Sequence, residues 1–147
     1  MSEQHIQIRQ LFNAPVDTIF DILTDHASFG QVINANIKRV VDSPGDNQNG
    51  VGSVRRINAF PAPAFEETVV TFEPNQLMEY VISKGSPIKK HMGRMEFSEE
   101  HDQTRLEYAI IFEPKLPFLL LGSIIKNAIE KSIREGLQGL AKRYEIQ

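Results

Sequence analysis

Few residues of this chain have the types and spacing to do chemistry, and those few narrow it to proton transfer. The absence of cysteine excludes disulfides, thiolate nucleophiles and cysteine-ligated metals. Gly50-Val51-Gly52-Ser53-Val54-Arg55 lacks the third glycine of a dinucleotide loop and falls in a hairpin, not between a strand and a helix. No serine stands in a Gly-x-Ser-x-Gly elbow. His5, His26, His91 and His101 show no close pairing suited to a preformed metal site, so neither a metal nor a cofactor is expected. Carboxylates and one imidazole remain, able to exchange a proton with one carbon skeleton as a cyclase or dehydratase must. His91 shares a face of its alternating stretch with Gly93, Met95 and Phe97, which turns it inward. Glu67 shares one with Phe65 and Val69, although Glu66 competes if the register shifts. Glu107 lies with Arg105, Ala109 and Ile111, opposite the more apolar Leu106, Tyr108, Ile110 and Phe112, so the pattern turns it outward.

The elements that must position these groups follow from periodicity. Residues 5–12 alternate as a strand, with Ile6, Ile8 and Phe12 on one face. Asn13-Ala14-Pro15 stops it, and Val16, Ile19, Phe20 and Leu23 at i, i+3, i+4 and i+7 make a short amphipathic helix. Asp25 can cap a second short helix through about Phe29. Six strands are expected next, over 36–42, 51–60, 65–73, 77–84, 89–98 and 104–113, joined by Gly-, Pro-, Asn- or Asp-bearing turns. Pro114 and Pro117 deliver the chain into one long helix over 118–144.

That last helix has a broad apolar arc sorted by size. Ala128, Ser132, Gly136 and Gly139 lie to one side of it, and Ile129, Ile133, Leu137, Leu140 and Tyr144 to the other. Each glycine inside a helix costs about 1 kcal/mol relative to alanine. Two of them on a buried face imply that something passes close by, a packed element or a ligand. Consecutive strands with short turns imply an antiparallel sheet, and a lone amphipathic helix must bury its face against it. The expected fold is therefore α+β: a curved seven-stranded antiparallel sheet around one long C-terminal helix, with two short helices between the first two strands.

At 147 residues, 1–147 reads as a single domain able to bury about 68–70% of its unfolded surface. With 16 Lys+Arg against 19 Asp+Glu and a net charge of -3, no nucleic-acid footprint is visible. Met1-Ser2-Glu3-Gln4-His5 has neither the basic nor the apolar part of a signal peptide, and no apolar run reaches the ~20 residues that span a bilayer. A cytoplasmic protein is the expectation.

The whole chain resembles the helix-grip superfamily, which includes START lipid-transfer domains, the polyketide cyclase/dehydrase and lipid-transport family and the plant abscisic-acid receptors. The resemblance is carried by Asn13-Ala14-Pro15-Val16-Asp17-Thr18-Ile19-Phe20 with Asp25, by Gly50-Val51-Gly52-Ser53-Val54-Arg55-Arg56, by Glu66-Glu67-Thr68-Val69 before Leu77-Met78-Glu79-Tyr80, and by Thr104-Arg105-Leu106. It implies the fold and an apolar cavity for a small hydrophobic molecule, but no single activity. It also puts Glu67, His91 and Glu107 on the cavity wall, against the pattern for Glu107. The wall so implied takes Phe60, Phe65, Glu67, Tyr80, His91 and Met95 from the sheet, and Ile125, Ala128, Ser132 and Gly136 from the helix. Asn58-Ala59-Phe60-Pro61-Ala62 and Gly85-Ser86-Pro87-Ile88 depart from the gate and latch of the hormone receptors, although a loop over the cavity mouth at 60–65 is retained.

Three functions are compatible with these residues. The first, and preferred, is binding or transport of a small apolar ligand such as a lipid, isoprenoid or polyketide, which needs only the cavity. The second is a cyclase or dehydratase using His91 with Glu67 or Glu107. The third is a co-chaperone-like interaction domain. Leu116-Pro117-Phe118-Leu119-Leu120-Leu121 is too apolar for an ordinary loop. It either lines the cavity mouth or forms a patch for a membrane surface, a protein partner or a second copy of the chain.

Overall fold

The computed structural model describes residues 3–58, 63–86, 88–115 and 121–145. Phe60 and the 116–120 part of the leucine-rich segment lie outside the described residues. The element order is β1 (Gln4–Phe12), α1 (Val16–Thr24), α2 (His26–Ile33), β2 (Asn36–Val41), β3 (Val54–Asn58), β4 (Phe65–Glu73), β5 (Leu77–Lys84), β6 (Ile88–Glu100), β7 (Gln103–Pro114) and α3 (Gly122–Lys142).

All seven strands form one antiparallel sheet in the order β1-β7-β6-β5-β4-β3-β2. The first strand thus pairs with the last, and α1 and α2 carry the chain from one sheet edge to the other. Irregularities in register between Arg39 and Val41, Glu66 and Glu67, Val69 and Thr71, and Lys89 and Met92 bend the strands they interrupt. Ile6, Ile8 and Phe12 of β1, Leu106, Tyr108, Ile110 and Phe112 of β7, and Met95 and Phe97 of β6 make the buried face, as their alternation requires. Phe20 of α1 closes one end of this core, with edge-to-face contacts to Phe72 and Phe97.

Local chemistry explains where the elements stop, including four places where the expected bounds move. The second short helix runs four residues past Phe29, because Asn34 takes a left-handed conformation and ends it in a Schellman turn. Its N–H donates to the Gln31 carbonyl, and the Ala35 N–H donates to that of Gly30. The expected strand at 51–60 begins only at Val54, since Gly52 has φ +89° and the Ser53 N–H turns back to the Gly50 carbonyl. β6 and β7 run on to Glu100 and Gln103 because His101 and Asp102 both adopt positive φ, which makes a two-residue hairpin turn of the expected five-residue loop.

The fourth change concerns α3. Its described part starts at Gly122, and it packs on β1 and α2. Ile133, Leu137 and Leu140 are buried, whereas Leu121 and Ile124 are 42% and 65% exposed. The apolar arc of this helix is thus buried in its C-terminal half and largely open in its N-terminal half.

Candidate functional site

Arg55 and Glu67 sit directly opposite one another in the β3–β4 register, and both side chains turn into the concave side of the sheet. Arg55 Nε donates to Glu67 Oε1 at 2.8 Å. The guanidinium carbon lies 4.3 Å from the ring centre of Tyr80 on β5 and 5.0 Å from that of Phe29 on α2. Arg55 is thereby held by Glu67 and packed against two aromatic rings, at only 1% exposure. Its Nη1 is buried and has no hydrogen-bond partner among the described residues.

Tyr80 owes its place to a glycine. Gly93 is its register partner on β6, and a Cβ at position 93 would press on the face of the Tyr80 ring, 2.2 Å from its Cζ. The ring crosses the strand there, and its hydroxyl hydrogen-bonds the hydroxyl of Tyr108 on β7. His91 shares the inward side of β6 with Gly93, Met95 and Phe97, and the irregularity at Lys90, φ +51°, lets Ile88 turn inward as well. His91 Nδ1 accepts from the Ile82 N–H of β5 at 3.1 Å, which leaves the proton on Nε2, 3.7 Å from Glu67 Oε2.

The electrostatics of this cluster are those of a dry site. Burial works against the Arg55 charge, but Glu67 and the tyrosine oxygens outweigh it and hold the guanidinium charged. Burial, reinforced by the Arg55 charge, outweighs the pull of Glu67 and lowers the His91 pKa, so the ring is neutral at neutral pH. Burial likewise raises both tyrosines and keeps them protonated. The five groups carry one positive and one negative charge, already paired.

The structure brings Glu67, Tyr80 and His91 together, and adds Arg55 and Tyr108, which the sequence reading did not single out. A signal for Arg55 was present: Arg55-Arg56 meets Glu66-Glu67 across an antiparallel pair, one Arg–Glu couple on each face. Arg56 pairs with Glu66 on the outer side at 3.3 Å. Met95 lies in the core, opposite Tyr108 in the register. Phe65 and Ile125 are half-buried against that core.

The other expected residues stand elsewhere. Glu107 lies on the outer face, where it pairs with Arg9 at 3.0 Å across β1 and β7, as alternation required. Ala128 and Ser132 are exposed and Gly136 is half-buried. They face the C-terminal end of α2 across an open cleft. Ser132 Oγ donates to the Ile33 carbonyl at 3.1 Å, and a Cβ at Gly136 would come within 2.4 Å of the Val32 carbonyl oxygen. The close neighbour of this stripe is a packed helix.

A second buried polar group lies at the other end of α2. His26 Nε2 is 2.9 Å from Ser53 Oγ, and the His26 backbone N–H donates to Asn49 Oδ1. Asn49 in turn donates to Asp25 Oδ1 and accepts from Arg39. This network ties the start of α2 to the β2–β3 connection.

A sheet of this strand order with one long helix laid across it defines the START-like, helix-grip class. The chain belongs to the polyketide cyclase/dehydrase and lipid-transport family, whose model matches residues 3–145. Among solved structures, a START superfamily protein from Mycobacterium smegmatis matches with a TM-score of 0.77 at 17% identity, over 96% of this chain and 99% of that one. The protein XoxI from Bacillus cereus matches with 0.73 at 13% identity, over 95% and 94%. Norcoclaurine synthase from Thalictrum flavum, solved with dopamine and hydroxybenzaldehyde, matches with 0.69 at 10% identity, over 99% and 90%. At such identities the likeness concerns the fold. No curated protein sequence matches the chain.

Proposed function

We propose that this protein binds a small apolar molecule between the sheet and α3, with the Arg55–Glu67–His91 cluster at the inner end of the site. The observation that carries this reading is an apolar flank at one end of the molecule, partly exposed among the described residues. By register the start of β4, the end of β5 and the end of β7 lie at this one end of the sheet, and Gly122 at the start of α3 sits beside Pro114 of β7. Phe65, Ile82, Ile125 and Ile129 are only half-buried, and Leu121 and Ile124 are exposed. Apolar surface left open beside a core is what a removable apolar ligand would cover. Family membership supports the same class of ligand.

Carriage is favoured over catalysis because each candidate base is already engaged. Glu67 Oε1 is held by Arg55, and the basic nitrogen of His91 is held by the Ile82 N–H. Native mass spectrometry of the purified protein, followed by denaturing extraction, tests the reading. A stoichiometric apolar adduct, or stoichiometric binding of the uncharged probe Nile red, is expected. A protein that emerges empty and leaves that probe dark would overturn the proposal and favour a protein-interaction domain.

A further inference from the structure

Arg55 Nη1 is a cationic N–H group removed from water that makes no hydrogen bond to the described residues, although the Tyr108 hydroxyl stands close enough to the guanidinium to interact with it. Such a group is costly to bury unmet. The rest of the guanidinium is restrained, because Nε is held by Glu67 and the cation packs against the rings of Phe29 and Tyr80. The donor is therefore fixed in direction before any ligand arrives, which is the condition for selective recognition.

Resting on the ligand-binding reading above, we propose that the natural ligand presents a neutral acceptor oxygen, that of a ketone, aldehyde or ester, to Arg55 Nη1. The charge count decides against an anion. Glu67 already neutralises Arg55, and His91, Tyr80 and Tyr108 bring no second positive charge. A carboxylate would stand beside Glu67 in a dry site with half a cation to share. A plain hydrocarbon would cover Nη1 and leave it unmet. A carbonyl oxygen accepts the hydrogen bond and adds no charge.

Three fluorescent probes on one body test this: 6-propionyl-2-(dimethylamino)naphthalene, its 6-propyl analogue, and the 6-carboxylate. The wild-type protein should bind the ketone about tenfold or more tightly over the propyl probe, and the carboxylate no better than the propyl probe. Arg55→Lys keeps a positive charge opposite Glu67 but lacks the planar fork, and should bring ketone and propyl probes to within about twofold of each other. Equal binding of ketone and propyl by the wild type, as when a buried water serves Nη1, overturns the proposal, and so does a preference for the carboxylate. The wild-type comparison stands even if the variant fails to fold. Binding of the propyl probe reports on the apolar site itself, so a wild type that binds all three alike sinks only the acceptor-oxygen inference. One that binds none sinks both.

Discussion

At the level of single residues, three glutamates show how strand register decides the fate of one side-chain type. Glu67 meets Arg55 inside, Glu66 meets Arg56 outside, and Glu107 meets Arg9 outside. Removing one partner of a buried ion pair strands the other charge at a cost of about 3–5 kcal/mol, whereas an exposed pair contributes at most about 1 kcal/mol. Glu67→Ala should therefore lower stability in urea by about 3–5 kcal/mol, and Glu107→Ala by no more than about 1 kcal/mol. Similar losses from the two would contradict the opposite faces assigned to them. Alternation in the sequence was enough to orient Glu67, His91 and Glu107. It did not reveal Arg55, because a buried arginine is credible only once its partner is known, and the partner comes from register across two strands.

His26 makes a second prediction at this scale. Burial, with the Arg55 and Arg39 charges adding to it, outweighs Asp25 and lowers its pKa from 6.5 to about 3. The unfolded chain takes up a proton near pH 6.5 that the folded chain refuses. The stability tied to neutral His26 is complete above that pH and is lost as the pH falls toward 3, by up to about 1.4 kcal/mol per pH unit. His91 is lowered too and adds in the same direction. His26→Gln should flatten the fall in the urea midpoint on acidification while leaving the His91 share. An unchanged slope would remove His26 from the acid sensitivity of the fold.

Among the elements, α3 separates two glycines that look equivalent in sequence. Both Gly136 and Gly139 fall on the small-residue side of its apolar arc, and both suggest a close approach. Only Gly136 has one, with the backbone of α2 at Val32 and Ile33. A Cβ at Gly139 meets nothing within 4 Å. Gly139→Ala should stabilise the protein by up to about 1 kcal/mol through helix propensity alone. Gly136→Ala should destabilise it by about 1–3 kcal/mol, since the obstacle is backbone and must move with its helix. Thermal melts of the two variants should shift in opposite directions, and equal shifts would mean that the α2–α3 contact is not tight. Periodicity located this helix and its apolar arc. It could not say which neighbour each part of the arc meets, because that depends on where α2 ends, and the left-handed Asn34 that ends it does the work usually given to glycine.

For the molecule as a whole, the uneven burial of α3 is the feature that couples fold to function. Ile133, Leu137 and Leu140 anchor its C-terminal half, while Leu121 and Ile124 leave the other end partly in water. Local opening costs least where buried apolar contacts are fewest. Amide hydrogen exchange should therefore be faster over 122–129 than over 133–140 in the free protein. A ligand that binds only the folded chain adds stability of about 2.7 kcal/mol at a hundred times its dissociation constant, and global protection rises with it. The informative quantity is where protection rises beyond that uniform gain. Saturation with 6-propionyl-2-(dimethylamino)naphthalene should protect 122–129 together with 81–84 and 88–91, the strand ends where His91 bridges β6 to Ile82. The contrary outcome is an excess on 30–34 and 132–136. The occupied site would then be the α2–α3 cleft beside Ser132 and Gly136, and the Arg55 cluster would be a structural ion pair with no ligand of its own.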